Sequence, residues 1–435
     1  MMKKTTATIL GFFLLAGGIH SQELLTLDQA VSIGLENNYG IIMSRNAAET
    51  AKNNATRGNA GMLPTVGVNA GYTKALNDAR VKVATGNELD NPMALSDLLS
   101  GGVGINWTLF DGLNMFITYD KLKKIEEASE LSGRITIENT VARIIAGYYD
   151  IVRQGKIRDM LNEQVEISRF RQNLAKMRYE TGTGSEMEYL KSRVELNADL
   201  ANLSSQTTLF ENARTTLNDL LSRDIATTFS VADTIPVEEV LIYDSLLTAL
   251  NNANRQLQLT DKNRQIAELD VRSAQAGQWP TLNYHAGYNY YRNETEASFI
   301  QYNRYFGPSM GLTLNLNIFD GLNQKRKYKN AILSLQSYEL AVKQMESQLL
   351  AHLSRIFNEY GNGLEMIGFE RENLQLAIRN MELAKSSYEI GSISSLQLRE
   401  VQQDLLTARS RLLTAQFNVK LTETELLLLS GKLVN

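Results

Sequence analysis

The residues that could carry out chemistry are few and stand apart from one another. The chain of 435 residues contains no cysteine and three histidines. Two of the histidines, His285 and His352, are isolated in the sequence, so we expect structural roles for them rather than metal coordination. No His-Glu-x-x-His zinc motif and no Gly-x-Ser-x-Gly nucleophile motif occurs. We therefore predict a protein that is not an enzyme, with no catalytic residue, no metal site and no cofactor.

The glycine-rich and acidic stretches do not change this prediction. Gly101-Gly102-Val103-Gly104 is followed by no Lys-Ser or Lys-Thr pair, so it lacks the pattern of a phosphate-binding loop. Carboxylate pairs recur along the predicted helices, and no single pair therefore marks a catalytic dyad.

Two copies of Phe-Asp-Gly each join a predicted strand to a predicted helix. Phe110-Asp111-Gly112 ends an alternating stretch that begins at Val103, and Phe319-Asp320-Gly321 ends one that begins at Leu312. Such alternation predicts a strand with one apolar and one polar face. The Asp suits a helix cap and the Gly a permissive turn position. Each copy therefore predicts a strand-to-helix junction.

The N-terminus has the pattern of a secretory signal peptide over residues 1–21. Lys3 and Lys4 precede an apolar stretch from Ile9 to Gly18, and Ser21 is a small residue at the expected cut. Removing the two lysines of residues 1–21 takes the formal charge from −4 to −6. We expect an exported protein that does not bind nucleic acid.

The rest of the chain contains no apolar run long enough for a membrane-spanning helix, which needs about 20 residues. If the mature protein enters a membrane, we expect it to do so through a closed β-barrel. Strands of about ten residues fit that role. Tyrosines on two of them suit an aromatic girdle in contact with outer membrane lipids, although aromatic residues favour any strand: Tyr72, Tyr284, Tyr288 and Tyr290.

The predicted elements occur twice in the same order. The first set is a helix over 27–60, strands over 65–74 and 103–110 around a loop at 75–100, helices over 113–180 and 186–222, and a connector at 223–245. The second set is a helix over 245–278, strands over 281–291 and 312–319 around a loop at 292–308, a helix over 322–389, and a last helix with a heptad seam ending at Leu429.

Residue numbers of matching features differ by constant amounts. Pro64 and Pro280 differ by 216, while Phe110 and Phe319 differ by 209. The change of seven falls in the strand-to-strand loops, where insertions are tolerated. We therefore predict a tandem duplication, with repeats at 22–245 and 246–435. Four strands cannot close a barrel alone, so two chains would supply eight strands and three would supply twelve.

The order of elements resembles the TolC-like outer membrane efflux family. The resemblance rests on the Leu63-Pro64 and Trp279-Pro280 helix exits, both Phe-Asp-Gly strands, and a Tyr-x-x-Gly turn before each second helix. It implies a mainly α fold of long coiled-coil hairpins, and a homotrimer with a shared 12-strand barrel in the outer membrane and a helical tunnel in the periplasm. It also implies passive export, a periplasmic adaptor, and an inner-membrane RND or ABC transporter as partners.

The resemblance also assigns residues at the hairpin tips. The family's tips dock the adaptor, and acidic residues beyond them narrow the tunnel entrance. The corresponding tip residues are Tyr179, Gly182, Tyr388 and Gly391. The family's acidic positions correspond to Glu188, Gln397 and Glu400. Gln397 departs from the pattern because it is not acidic.

Less specific interpretations remain open for these residues. Glu188 and Glu400 also suit ordinary acids near a helix start, where the helix dipole favours them. Asp199 and Gln206 correspond to Ala408 and Ala415, which lie on the heptad seam of the last helix. Either Asp199 and Gln206 line the tunnel, or the heptad register shifts locally in their own helix. We favour the shift.

At the level of the whole chain, the alternative is an exported coiled-coil structural or adhesive protein without channel activity. The substrate and the class of pump do not follow from the sequence.

Overall fold

A computed structural model describes residues 24–237 and 241–434, so the predicted signal peptide lies outside the described residues. The first half comprises α1 (Leu27–Asn37), α2 (Tyr39–Asn54), β1 (Thr65–Lys82), β2 (Glu88–Phe110), α3 (Asn114–Glu180) and α4 (Glu186–Leu220). The second comprises α5 (Tyr243–Ala253), α6 (Arg255–Ala276), β3 (Thr281–Thr295), β4 (Tyr302–Asn315), α7 (Asn323–Glu389) and α8 (Ser395–Leu429). The chain is thus mainly helical with one small antiparallel sheet, and the long helices begin and end within a few residues of their predicted bounds.

The two halves match in strand register as well as in element order. Thr65 pairs with Asn106 in the first hairpin, and Thr281 pairs with Asn315 in the second. These partners differ by 216 on the first strand and by 209 on the second, as the sequence offsets predict. Residues related by these offsets therefore occupy equivalent places in the two halves.

The chain divides into two compact units. Of the described residues, one unit, here the tip unit, comprises 24–38, 140–237 and 358–425. The other, here the sheet unit, comprises 39–139, 241–357 and 426–434. No helix of the described ranges has an apolar stretch long enough to cross a bilayer.

The core of the tip unit forms where α3 packs against α4 and α8. Ile144, Tyr148 and Leu217 are almost fully buried there. The Tyr148 hydroxyl donates to the Leu25 carbonyl at 3.0 Å and accepts from the Ala232 amide at 3.1 Å. One buried hydroxyl therefore holds both the N-terminal segment and the connector against α3. Thr26 and Gln29 form a capping box at the start of α1.

The sheet unit holds all four strands in the order β1-β2-β3-β4, each antiparallel to the next. The β2–β3 pairing joins the two halves. Ion pairs between α3 and α6 join the same two halves: Lys121 with Asp270, Glu127 with Lys262, and Glu138 with Arg255.

Each Phe-Asp-Gly starts a long helix by the same geometry. Gly112 and Gly321 have φ angles of 72° and 70°, and the leucine after each also has a positive φ angle. Glycine adopts this left-handed conformation without a steric penalty. The Asp111 carboxylate accepts from the Met115 amide at 3.2 Å, as Asp320 does from the Gln324 amide at 2.7 Å. The predicted Asp cap is present in both copies.

The predicted strand-to-strand loops were far too long. Most of 75–100 and of 292–308 is strand, and only residues 83–87 and 296–301 lie between the paired strands. Asn, Asp and Gly disfavour strands locally, which is why the loops were predicted there. Cross-strand pairing overrides that preference, because alternate residues along a paired strand exchange backbone hydrogen bonds with the neighbouring strand.

The first helix of each half is broken once, contrary to the predicted continuous helices over 27–60 and 245–278. Asn38 and Asn254 have extended backbones at the breaks. Their side-chain amides donate to the carbonyls of Leu220 and Leu429, at 2.9 and 3.0 Å. Each Asn side chain therefore provides a hydrogen bond to a carbonyl at the end of another helix, and its own helix is interrupted at that point.

The second Phe-Asp-Gly does not directly follow a strand. β2 runs to Phe110, whereas β4 ends at Asn315, four residues before Phe319. The difference follows from position: β2 is central and β4 is an edge strand. The predicted strand over 312–319 is therefore only partly formed in the single chain.

Candidate functional site

The two hairpin tips, which join α3 to α4 and α7 to α8, both lie in the tip unit and have the same turn. Gly182 and Gly391 have φ angles of 73° and 78°. Their amides donate to the carbonyls of Tyr179 and Tyr388, at 3.0 and 3.1 Å. In both turns the next amide bonds back to the residue before the tyrosine. Glycine is required here because the left-handed conformation closes the turn.

Aromatic contacts distinguish the two tips. The Tyr179 ring stacks on the Tyr189 ring, with centroids 6.1 Å apart and planes 9° apart. The Arg178 guanidinium lies 5.9 Å from the centroid of the Tyr388 ring, so it links the first tip to the second by a cation–π contact.

Glu188 and Gln397 occupy the third position of their helices. The Ser185 hydroxyl accepts from the Glu188 amide at 3.2 Å. In the second half the Ser394 hydroxyl accepts from the Gln397 amide at 3.3 Å, and the Gln397 side chain accepts from the Ser394 amide at 2.8 Å. Gln397 thus completes a capping box, which gives the departure from the acidic pattern a local structural role.

The structure brings some of the predicted residues together and leaves others apart. Glu188 is partly buried and lines a small cleft with Tyr388 and with Ser395 of the second hairpin. Gln397 and Glu400 do not line that cleft and are exposed on α8. Lys191, the first-half equivalent of Glu400, does line it.

A buried ion pair joins the two hairpins. The Arg399 guanidinium of α8 donates two hydrogen bonds to the Asp199 carboxylate of α4, each 2.6 Å long. The Ser168 hydroxyl of α3 donates to the same carboxylate at 2.5 Å. The Asp199 side chain is 3% exposed and that of Arg399 is 14% exposed. This is a bidentate pair shielded from water, the strongest geometry for an Arg–carboxylate contact.

A second buried arginine strengthens the same junction. Arg171 of α3 donates to the Glu195 carboxylate at 2.7 Å and to the Ser395 carbonyl at 3.4 Å. Ser395 is the first residue of α8, so Arg171 binds both a helix of its own hairpin and the start of the opposite one.

Asp199 and Gln206 are both buried in the single chain, and Ala408, the equivalent of Asp199, is buried too. The favoured register shift stays a prediction. The Gln206 amide donates to the Gln154 side chain at 2.8 Å. Polar residues at seam positions are stabilised by partners rather than turned outward.

The sequence pattern does not indicate the other members of this junction, Arg399, Ser168 and Arg171. A charged residue at an otherwise apolar seam position signals that a partner exists. It does not identify the partner, because Arg399 lies 200 residues further along the chain.

The Asp199 carboxylate is held in its charged form. Burial would raise its pKa, but the hydrogen bonds from Arg399 and Ser168, with the Arg399 charge, hold the pKa below its ordinary value. Within the described ranges no group of three or more Asp, Glu, His or Cys side chains is arranged to hold a metal ion.

Comparison with known proteins identifies the family. The model of the family described as outer membrane efflux protein matches residues 31–223 and 246–432. Protein CyaE of Bordetella pertussis is 23% identical over 339 residues, which are 76% of this chain and 70% of that protein.

Solved structures share the fold. The CmeC outer membrane channel of Campylobacter jejuni matches with a TM-score of 0.80 at 15% identity, over 94% of this chain and 86% of that one. The open state of the MtrE outer membrane channel of Neisseria gonorrhoeae matches with a TM-score of 0.70 at 14% identity, over 94% and 89%. Because the family model matches most of both halves, the chain belongs to the outer membrane efflux protein family.

Proposed function

We propose that this protein is the passive exit duct of a tripartite efflux pump or a type I secretion system. The observation that carries the proposal is the family match over both halves. The architecture supports it, since the chain combines two 67-residue helices with a sheet that exposes apolar side chains. Energy for transport comes from the inner-membrane transporter, and this chain performs no chemistry.

The working form is a homotrimer that completes a 12-strand barrel in the outer membrane and a helical tunnel in the periplasm. Residues 1–21 direct export, and 22–245 and 246–435 are the two repeats that build the duct. The two Phe-Asp-Gly junctions lie where the barrel ends and the helical tunnel begins.

The hairpin tips are the docking surface for the periplasmic adaptor. Tyr179, Gly182, Tyr388 and Gly391 form two turns of the same geometry, which suits one kind of partner contacting both. The exposed Glu400, the partly buried Glu188 and the exposed Gln397 form the constriction at the entrance. Carboxylates brought together from three copies repel one another, and opening relieves that repulsion.

Fractionation and resistance test this function together. We expect the protein in the outer membrane fraction, and we expect a strain lacking it to become sensitive to the substrates of its pump. Reintroducing the chain should restore resistance, whereas a chain truncated within α3 should not. A soluble periplasmic protein whose loss changes no sensitivity would instead support the structural or adhesive alternative.

A further inference from the structure

One face of the sheet is apolar over several rows and then ends in a charged border. Strand pairing defines the rows: Val103 lies beside Tyr288, and Tyr288 lies beside Pro308. Aromatic contacts place Tyr288, Tyr290 and Phe306 on this same face. From the Phe-Asp-Gly end of the sheet to the row of Tyr290, the side chains of this face are apolar or aromatic.

The next row of the same face carries two arginines directly opposite each other. Arg292 of β3 pairs with Arg304 of β4, and Leu99 of β2 is the other neighbour of Arg292. Residues directly opposite in an antiparallel pair have Cβ atoms about 5 Å apart, and like charges there destabilise the pairing. An anion that contacts both guanidinium groups would therefore stabilise this row.

The carboxylates of the same face neutralise the arginines only in part. The Arg292 Nε atom lies 3.5 Å from a Glu294 carboxylate oxygen. Asp97, which pairs with Glu294 across the strands, lies 3.9 Å from the Lys74 ammonium. Among the ion pairs that the described residues form on this face, none includes Arg304. Three cations therefore face two carboxylates, and the border has a net positive charge.

The arginine pair lies at the height of lipid headgroups when the sheet spans a membrane. Arg292 is eleven residues beyond Thr281, the first residue of β3. At about 3.3 Å per residue and a tilt of about 40°, this separation corresponds to a height of about 28 Å. The apolar band of a membrane barrel is about 25 Å tall. The guanidinium groups therefore reach the headgroups of the leaflet farther from the Phe-Asp-Gly junctions.

We propose that Arg292 and Arg304 bind a phosphate group of an acylated lipid in the outer leaflet. A guanidinium group binds phosphate oxygens through two parallel N–H donors, so two adjacent arginines hold one phosphate from two sides. The aromatic side chains of the row below, Tyr290 and Phe306, contact the acyl chains. The inference rests on the proposed function, because it requires the sheet to lie in the outer membrane.

The position of the pair favours a lipid phosphate over a free phosphate ion. Dissolved salt screens exposed charges, so two surface arginines attract a free ion only weakly. The acyl chains of a lipid keep its phosphate at the height of the pair, which raises the effective concentration of phosphate there. The side chains that would contact those chains are accessible, since Phe306 is 68% exposed and Leu99 is 37% exposed.

Titration of lipid A into the full-length protein, extracted from outer membranes and cleared of lipid, tests the site. Native mass spectrometry counts the bound lipid molecules. We expect diphosphorylated lipid A to bind the wild type, and Arg292→Gln with Arg304→Gln to weaken binding at least about tenfold, because charge-assisted hydrogen bonds are lost. Arg292→Lys with Arg304→Lys keeps the charge without the planar donor pair, so its affinity should be intermediate.

Two controls separate this site from a general attraction between charges. Arg57→Gln with Arg326→Gln removes the same charge at the other end of the sheet, where Arg57 precedes β1 and Arg326 lies near the start of α7. This variant should bind lipid A as the wild type does. Lipid A stripped of its phosphates should bind the wild type and Arg292→Gln with Arg304→Gln equally weakly, since it lacks the group that the arginines contact.

Equal affinity of the wild type and Arg292→Gln with Arg304→Gln for lipid A would overturn the proposal. Displacement of lipid A by an equal concentration of inorganic phosphate would also overturn it, and would assign the pair to a free anion. Either result, obtained with a chain that fractionates with the outer membrane, removes only the lipid site. Absence of the unmodified chain from that fraction would remove the proposed function itself.

Discussion

Asp199 shows how a single residue can hold two hairpins in one arrangement. Its partner Arg399 comes from the other half, and the equivalents of the two residues are Ala408 and Leu190. The ion pair therefore has no counterpart elsewhere in the duplication. A buried pair contributes less to stability than its geometry suggests, but removing one partner is costly because the other charge stays buried.

Replacing the carboxylate should loosen the junction between the hairpins. We expect Asp199→Ala to destabilise the α4–α8 contact by about 3–5 kcal/mol, because Arg399 would remain buried without its partner. Hydrogen exchange of α4 and α8 in the detergent-extracted protein measures this. The exposed pair of Glu163 with Arg409 is the matched control, and Glu163→Ala should cost at most about 1 kcal/mol. Equal effects of the two substitutions would contradict this assignment.

The Asp199 carboxylate also determines the direction in which the stability of the fold changes with pH. A pKa that is lowered on folding means that Asp199 stabilises the fold fully above its unfolded pKa, about 3.9. That contribution is lost as the pH falls through the lower folded pKa. The denaturation midpoints of the wild type and Asp199→Asn should therefore differ at neutral pH and converge below about pH 4. A difference that stays constant, or grows on acidification, would exclude this role.

At the scale of elements, periodicity predicted the long helices well, because the apolar stripe along α3 continues for many turns. Strand lengths were underestimated, since local composition around 75–100 disfavours strands while the pairing partner lies elsewhere in the chain. The break at Asn38 was missed for a related reason: its side chain satisfies a carbonyl of α4, a contact that no local pattern encodes. Long-range partners thus account for most of what the sequence left undetermined.

Asn254 tests that explanation. Its carboxamide oxygen accepts from the Leu257 amide at 2.9 Å, and its nitrogen donates to the buried Leu429 carbonyl. Asn254→Ala should therefore cost about 1–3 kcal/mol through the lost cap and the unsatisfied carbonyl. The exposed neighbour Asn252 is the control, and Asn252→Ala should change the free energy of unfolding by less than about 0.5 kcal/mol. Denaturant midpoints compare them, and similar losses would refute a special role for Asn254.

At the scale of the whole molecule, the contacts between the two repeats include charged residues that the equivalent positions lack. The α3–α6 and α4–α8 contacts within the chain include buried or partly buried ion pairs. The equivalent positions carry neutral residues such as Asn330 and Ala408. The two halves of one chain are therefore joined by charged contacts that have no counterpart at the equivalent positions.

The mass of the protein extracted from outer membranes tests the central claim most directly. The proposed duct would require several copies, because the four strands of one chain leave two edges open. Native mass measurement in mild detergent should give a single species of three mature chains, each slightly lighter than the full-length 48.7 kDa. A single species with the mass of one chain, stable and free of lipid, would contradict the claim.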